Sequence, residues 1–264
     1  MNIIKCDDKN NKIIGFNPEL INTHILFRGK NNRLFCEENV KLKDSVLDFS
    51  GDNSIIYLSS NRNNYFLKIS IYNNSVFYID ENNYINGNGG LNCSLSEEKN
   101  IFIGKECLFS FGIWMRLADP HLIYDSIDMK RINFSKSIYL GDHIWIGQDS
   151  LILKGTHIGS GSIIGAKSVL SNKKVNSNTM WAGVPAKEIR KNVFFDGASV
   201  HAFTKNETEK SINFSLDKWI FKNEGFIMSF EDIEEKINDM KSIDEKISFI
   251  QYIRNCKNKN RFYI

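Results

Sequence analysis

The 264-residue chain has little cysteine, only three prolines and no strong charge of either sign. Its five cysteines, Cys6, Cys36, Cys93, Cys107 and Cys256, lack the spacing of a metal site or a disulfide framework. They read as free thiols in a reducing compartment. A formal charge of +3 argues against a dedicated nucleic-acid binder. No apolar run approaches the roughly 20 residues that span a bilayer. The opening MNIIKCDDKN carries no apolar signal segment, so a cytoplasmic location is expected. No glycine-rich phosphate loop follows an early strand, which argues against a nucleotidyltransferase fusion. What remains is ordinary for a soluble globular protein: 42% hydrophobic and 25% charged residues, enough for one large domain or two modest ones. Asparagine is abundant and suits tight turns, because it tolerates left-handed backbone angles.

The strongest positive signal is a six-residue beat. An aliphatic residue returns at Leu140, Ile146, Ile152, Ile158, Ile164 and Leu170, and glycine follows it at Gly141, Gly147, Gly159 and Gly165. Four steps after each aliphatic come Ile144, Ser150, Thr156, Ser162 and Ser168. Neither the helix period of 3.6 nor the strand period of 2 produces this pattern. It predicts a coiled sheet with three flat faces, six residues to a face, with the aliphatic filling the centre and the small residue near a corner.

Three stretches follow. Residues 1–98 hold short strand-like runs between Asn- and Gly-rich turns and are expected to form irregular β-coils. Residues 99–192 form the regular section. The beat breaks at about 115 and resumes near Ile138, so residues 115–137 are expected to leave the coil as a loop, a favoured carrier of binding chemistry. Pro185 places the end of the sheet nearby. Residues 193–264 change character. Ile233, Ile237, Met240, Ile243, Ile247 and Ile250 predict an amphipathic helix over about 230–253, with Ser229 and Asp232 as a capping pair and the stripe packed against protein. FSLDKWIF reads as a short helix or strand, and the order of CKNKNRFYI is left open.

The run IYLGDHIWIGQDSLILKGTHIGSGSIIGAKSVL followed by AGVPAKEIR resembles the hexapeptide-repeat acetyltransferases. With the excursion DPHLIYD, the chain looks most similar to the bacterial sialic-acid and polysialic-acid (capsular) O-acetyltransferases. The resemblance covers residues 99–192. It implies a mainly β fold: a left-handed parallel β-helix with a protruding active-site loop and a small C-terminal helical segment. It also implies a homotrimer with acetyl-CoA as cosubstrate in the grooves between subunits, a glycan acceptor, and direct acetyl transfer assisted by a histidine base. No metal, nucleic acid or transmembrane segment is expected.

His121, in the excursion, matches the family's catalytic histidine. A sugar hydroxyl attacks a thioester poorly, and a near-neutral imidazole removes its proton as the new bond forms. Asp119, Asp125 and Glu106 are candidate partners that would set its tautomer. Trp145, in IWIG, is expected beside the thioester, its backbone N–H supporting the oxyanion and its indole walling the pantetheine channel. Gly147, Gly165 and Ala166 are expected along pantetheine. Lys173, Lys174, Lys187, Arg190 and Lys191, around Pro185, suit the CoA phosphates. Trp114, Arg116, Tyr124 and Lys130 flank His121 and form the expected acceptor site; Arg116 suits a carboxylate. His143 and His157 occupy other phases of the repeat and read as structural or surface residues, which disfavours a three-histidine metal hydratase. An acetyltransferase of neutral or amino sugars and a noncatalytic β-helix scaffold are the other readings.

Overall fold

The computed structural model describes residues 2–264. The chain winds into seven coils of parallel β-structure and begins an eighth, forming a three-sided solenoid. The first face joins nine strands, from Ile3–Cys6 and Lys12–Gly15 at one end to Lys174–Val175 at the other. The second face is split into sheets of two and six strands. The third joins seven, from His24–Phe27 to Val169–Leu170.

The beat maps onto this geometry directly. Leu140, Ile146, Ile152, Ile158, Ile164 and Leu170 are all buried in the central core. Ser150, Ser162 and Ser168 are buried, where their hydroxyls donate to the carbonyls of Gly165, Asn176 and Gly165 at 3.1, 2.8 and 2.7 Å. The three serines thus satisfy carbonyls where the chain bends away from the ladder. Ten asparagines, among them Asn31, Asn53 and Asn178, hold left-handed backbone angles.

The ladder runs through residue 98 without a break. Ile55 pairs with Val76, Phe77 with Ile101 and Ile101 with Ile138 on one face. Coil length distinguishes the early section. Partners are 18 residues apart from Tyr139 to His157, but 21 from Lys12 to Arg33 and 22 from Arg33 to Ile55. The additional residues lie in corners, so these coils are continuous with the rest while hiding the six-residue spacing. Between Ile101 and Ile138 the separation is 37, because the excursion adds roughly one further coil's worth of chain at a single corner.

Each end carries one antiparallel strand, on a single face. Ile3–Cys6 pairs with Lys12–Gly15, and Ala186–Lys191, directly after Pro185, pairs with Thr179–Gly183. These strands turn the chain back on itself, and each covers the terminal edge of its own face.

Two helices, rather than one, cover the first face. After α1 (Lys205–Lys210), α2 spans Phe230–Asp239 and α3 spans Ile243–Asn255. Ser229 caps α2 by accepting from the Asp232 N–H. Ser242 and Glu245 form a capping box that starts α3 and ends the continuity expected from the stripe. FSLDKWIF is neither helix nor strand. The helices bury Ile233, Ile237, Ile247, Ile250 and Ile253 against Ile55, Tyr57, Tyr78 and Tyr139, which point outward from the solenoid. Full burial of such a side chain contributes about 1.5–3 kcal/mol as an upper figure. The last residues are fixed too. Arg261 is 1% exposed and its guanidinium donates to Asp80, Asp142 and the Ile253 and Cys256 carbonyls.

Candidate active site

The excursion leaves the third face after Ile113–Arg116 and returns to the first face at Ile138–Leu140. Its arms form a short antiparallel hairpin bridged at Tyr124 and Arg131, with the Asp125 N–H donating to the Lys130 carbonyl at 2.8 Å. Two polar anchors hold the hairpin. Arg131 makes a two-pronged contact with Glu97 at 2.6 and 2.9 Å, and Ser135 donates to the same carboxylate. The Arg131 and Ser135 donors hold the Glu97 carboxyl down at about 2. Asn133, buried at the centre, donates to the His121 carbonyl at 2.7 Å and accepts from the Ile123 N–H at 3.0 Å.

His121 is exposed, with its backbone fixed by Asn133 and no hydrogen bond to its ring from this chain among the described residues. The three proposed carboxylate partners are engaged elsewhere or lie apart. Asp119 accepts from Lys154, which holds its carboxyl below the usual range, and from Asn133 at 3.3 Å. Asp125 accepts from the backbone N–H groups of Ile127 and Asp128 and shapes the hairpin turn. Glu106 occupies a left-handed corner between the first and second faces. Lys154, Asn133 and Glu97 are therefore the loop's supports. The Glu97 contacts and the Lys154–Asp119 pair span 34 to 38 residues, those of Asn133 with Ile123, His121 and Asp119 span 10 to 14, and none carried a motif.

A depression of about 240 Å³ lies at the excursion's root, lined by Trp114, Arg116, Ala118, Asp119, Pro120, Leu151 and Leu153. Trp114 and Arg116 point outward because Ile113 and Met115 alternate into the core. Tyr124 and Lys130 sit farther out on the hairpin, so the four acceptor candidates divide between root and tip.

Trp145 lies on the second face, opposite the corner from which the excursion emerges. One chain alone does not bring it to His121. Its backbone N–H donates to the Ser162 carbonyl at 3.0 Å within the coil ladder, so that group is not the free oxyanion donor expected from the motif. Its indole remains 38% exposed, with a 3.4 Å contact from Nε1 to the Ser110 hydroxyl.

Gly147, Gly165 and Ala166 share the second face and its following corner with Trp145. The N–H groups of Gly147 and Gly165 are spent on the ladder, donating to Ile164 and Trp181 at 2.7 and 2.8 Å. A side chain at Gly147 would meet the Ala166 nitrogen at 2.5 Å, so close coil packing itself demands this glycine. Pro185, Lys187, Arg190 and Lys191 follow on the terminal hairpin of the same face; Lys187, Arg190 and Lys191 are exposed. Lys173 and Lys174 lie elsewhere, entering the first face, where Lys174 stands 3.7 Å from Glu231 of α2. The expected phosphate cluster is thus divided within one chain.

His143 and His157 stand in two further places. His157 packs against Tyr139 and Phe230 beneath α2, and burial lowers its pKa. His143 is buried between Phe195 and Trp219, where desolvation lowers its pKa to about 4. Among the described residues, no group of three or more His, Cys, Asp or Glu side chains is arranged to hold a metal ion, and no helix is long and apolar enough to cross a membrane.

No protein-family model matches the chain. Among curated proteins, a polysialic acid O-acetyltransferase of Neisseria meningitidis is 37% identical over 180 residues, covering 68% of this chain and 82% of the relative. Another, from Escherichia coli O1:K1 / APEC, is 41% identical over 101 residues, covering 38% of this chain and 33% of the relative. Among solved structures, the polySia specific acetyltransferase NeuO has a TM-score of 0.65 at 27% identity, over 76% of this chain and 93% of its own. The polysialic acid O-acetyltransferase OatWY has a TM-score of 0.57 at 24% identity, over 73% and 96%, a likeness of fold.

Proposed function

The chain belongs to the hexapeptide-repeat acetyltransferase family that includes the polysialic acid O-acetyltransferases, and on that premise we propose that it moves acetyl from acetyl-CoA to a hydroxyl of sialic acid or a sialic-acid-containing glycan. Membership makes it an acetyl-CoA-dependent acyltransferase; acceptor, residue roles and assembly are our reading. The observation that carries the acceptor site is the position of His121, immediately after Asp119 and Pro120, which line the depression with Trp114 and Arg116. An indole stacks on a sugar face, and a guanidinium pairs with the carboxylate that distinguishes sialic acid from neutral sugars.

His121 takes the proton from the acceptor hydroxyl while its oxygen attacks the thioester carbonyl. As the tetrahedral intermediate collapses, the carbon–sulfur bond breaks and the imidazolium returns the proton to the departing CoA sulfur. The products are the sugar ester and free CoA. The Trp145 indole walls the acyl-donor channel, with Gly147, Gly165 and Ala166 along pantetheine and Lys187 and Arg190 toward the phosphates.

The location of His121 and Trp145 on opposite sides of one solenoid favours a site shared between copies of the chain. The excursion supports that reading, since Leu122, Ile123, Ile127, Met129, Ile132 and Phe134 are all exposed. A homotrimer would cover these side chains and supply the missing half of each site. Five unpaired thiols suit the reducing cytoplasm, where acetyl-CoA is made.

CoA release from acetyl-CoA, measured with free sialic acid, sialylated oligosaccharide, polysialic acid, galactosides and amino sugars, tests the proposal. Sialoside-dependent release should fall on the order of 10²–10⁴-fold in His121→Ala, the usual contribution of a general base. Turnover confined to neutral or amino sugars would overturn the acceptor class. Absence of both turnover and acetyl-CoA binding would overturn the reaction.

A further inference from the structure

Beside Trp145 lies a clasp that the proposed chemistry does not use. Residues 194–218 leave the solenoid after its terminal hairpin, and nearly every side chain between 196 and 218 is exposed. The segment is held at its root. Asn178 donates through Nδ2 to the Val193 carbonyl at 3.0 Å and the Trp219 carbonyl at 2.8 Å, and its Oδ1 accepts from the Phe221 N–H at 2.7 Å. One amide thus ties both ends together. His143 closes the root from the solenoid side. Its imidazole lies parallel to Phe195 at 4.0 Å and to Trp219 at 3.4 Å, with interplanar angles of 1° and 3°. Nε2 makes a 2.9 Å bond to the Phe195 carbonyl, which assigns the proton to that nitrogen because a carbonyl only accepts.

Phe195 connects this clasp to the candidate site. Its ring centroid is 5.9 Å from that of Trp145, tilted by 49°. Trp145 is otherwise partly exposed and has one long contact through Nε1. Phe195 therefore supplies an aromatic backing to the indole, and His143 fixes Phe195 by stacking and by its carbonyl.

We propose that His143 is a positioning residue: sandwiched between Phe195 and Trp219, it locks the root of the 194–218 segment so that Phe195 sets the orientation of Trp145 in the acyl-donor channel. The channel assignment rests on the acetyltransferase reading above; the coupling from His143 to Trp145 does not.

The test uses full-length protein labelled with fluorotryptophan, in which Trp114, Trp145, Trp181 and Trp219 give separate fluorine NMR resonances. Loss of one resonance in Trp145→Phe assigns it. His143→Ala and Trp219→Ala should shift or broaden the Trp145 resonance, and Trp219→Phe should restore it. The Michaelis constant for acetyl-CoA should rise about tenfold in both alanine variants, the upper end for one lost aromatic contact, with kcat within about twofold. Phe249→Ala, on the buried side of α3, serves as a destabilised control and should leave both readouts unchanged. An unmoved Trp145 resonance in folded His143→Ala and Trp219→Ala would overturn the proposal. A moved resonance in a protein that never turns over acetyl-CoA would retain the coupling and remove the reaction.

Discussion

The first and second faces of the solenoid carry outward aromatic side chains on the same kind of strand, yet these have opposite fates. On the first, Phe35, Tyr57, Tyr78, Phe102 and Tyr139 form a row with successive ring centroids 4.4 to 5.6 Å apart. The α2–α3 unit seals that row. On the second, Trp145 stays exposed beside the small residues of the next coil. The strands do not distinguish the two, since inward and outward positions alternate equally on both. What distinguishes them is how fully a later segment covers the row: α2 and α3 bury the first, whereas Phe195 backs Trp145 and leaves it partly exposed. An outward aromatic on a solenoid becomes evidence for a site only once the rest of the chain has been placed.

The most severe way to break the covered side is to remove its buried charge. Arg261→Ala leaves Asp80 and Asp142 without their main counter-charge and should cost roughly 3–5 kcal/mol, measured by urea denaturation. Below its lowered melting point, the variant should keep its acetyl-CoA Michaelis constant. Tyr139→Ala and Trp145→Ala then separate the two faces. The first should cost about 3 kcal/mol and leave turnover nearly intact below its own melting temperature. The second should leave melting within a degree or two while lowering kcat/KM for acetyl-CoA about tenfold, through a raised Michaelis constant, as the donor channel loses its aromatic wall. Equal losses of stability in the two would erase the contrast.

Acid gives a milder test. Burial depresses His143 to about 4 from an ordinary 6.5, so the fold favours its neutral form. The ring is faced by the Phe195 and Glu106 carbonyls, the Lys218 ammonium and the Asp196 carboxylate. Its contribution to stability is complete above about pH 6.5 and is lost as pH falls toward 4, a change of about 2–3 kcal/mol. His157 acts in the same direction. Urea midpoints at pH 7.5 and 4.5 should therefore converge more in His143→Gln than in the wild type. The smallest effect concerns the excursion. Lys154→Ala frees Asp119 and should reduce kcat/KM for the acceptor about tenfold through loss of loop placement, with under about 1 kcal/mol of stability because the pair is partly exposed.

Periodicity made the regular coils and the excursion legible, and Pro185 marked the end of the parallel winding but not the antiparallel strand Ala186–Lys191 that follows it. Each depends on local spacing or on one residue such as Pro185. The early coils hid their regularity because three to six additional residues per turn remove the six-residue period while leaving the ladder intact. The stripe over 230–253 was read correctly as a packed apolar face, but it concealed the break at Met240, where Ser242 and Glu245 begin a new helix. The site was legible only as separate motifs. Asp119 chooses Lys154, 35 residues away, and Arg261 meets Asp142 and Asp80 across 119 and 181 residues. Such partners follow from coil stacking, and no local pattern announces them. The Trp145 backbone was misjudged for a related reason: its N–H belongs to the ladder before it belongs to any site.

The antiparallel strands at the two ends also govern what the molecule does not become. A parallel solenoid has unlike ends, so one copy's last coil is a template for another's first, and stacking of that kind does not close into a ring. Deleting Ala186–Lys191 would uncover the Thr179–Gly183 edge, and the variant should scatter more light than the parent as copies pair through it. The hairpin of Thr179–Gly183 and Ala186–Lys191 is then a terminator, and any variant that frays it should first be judged by light scattering.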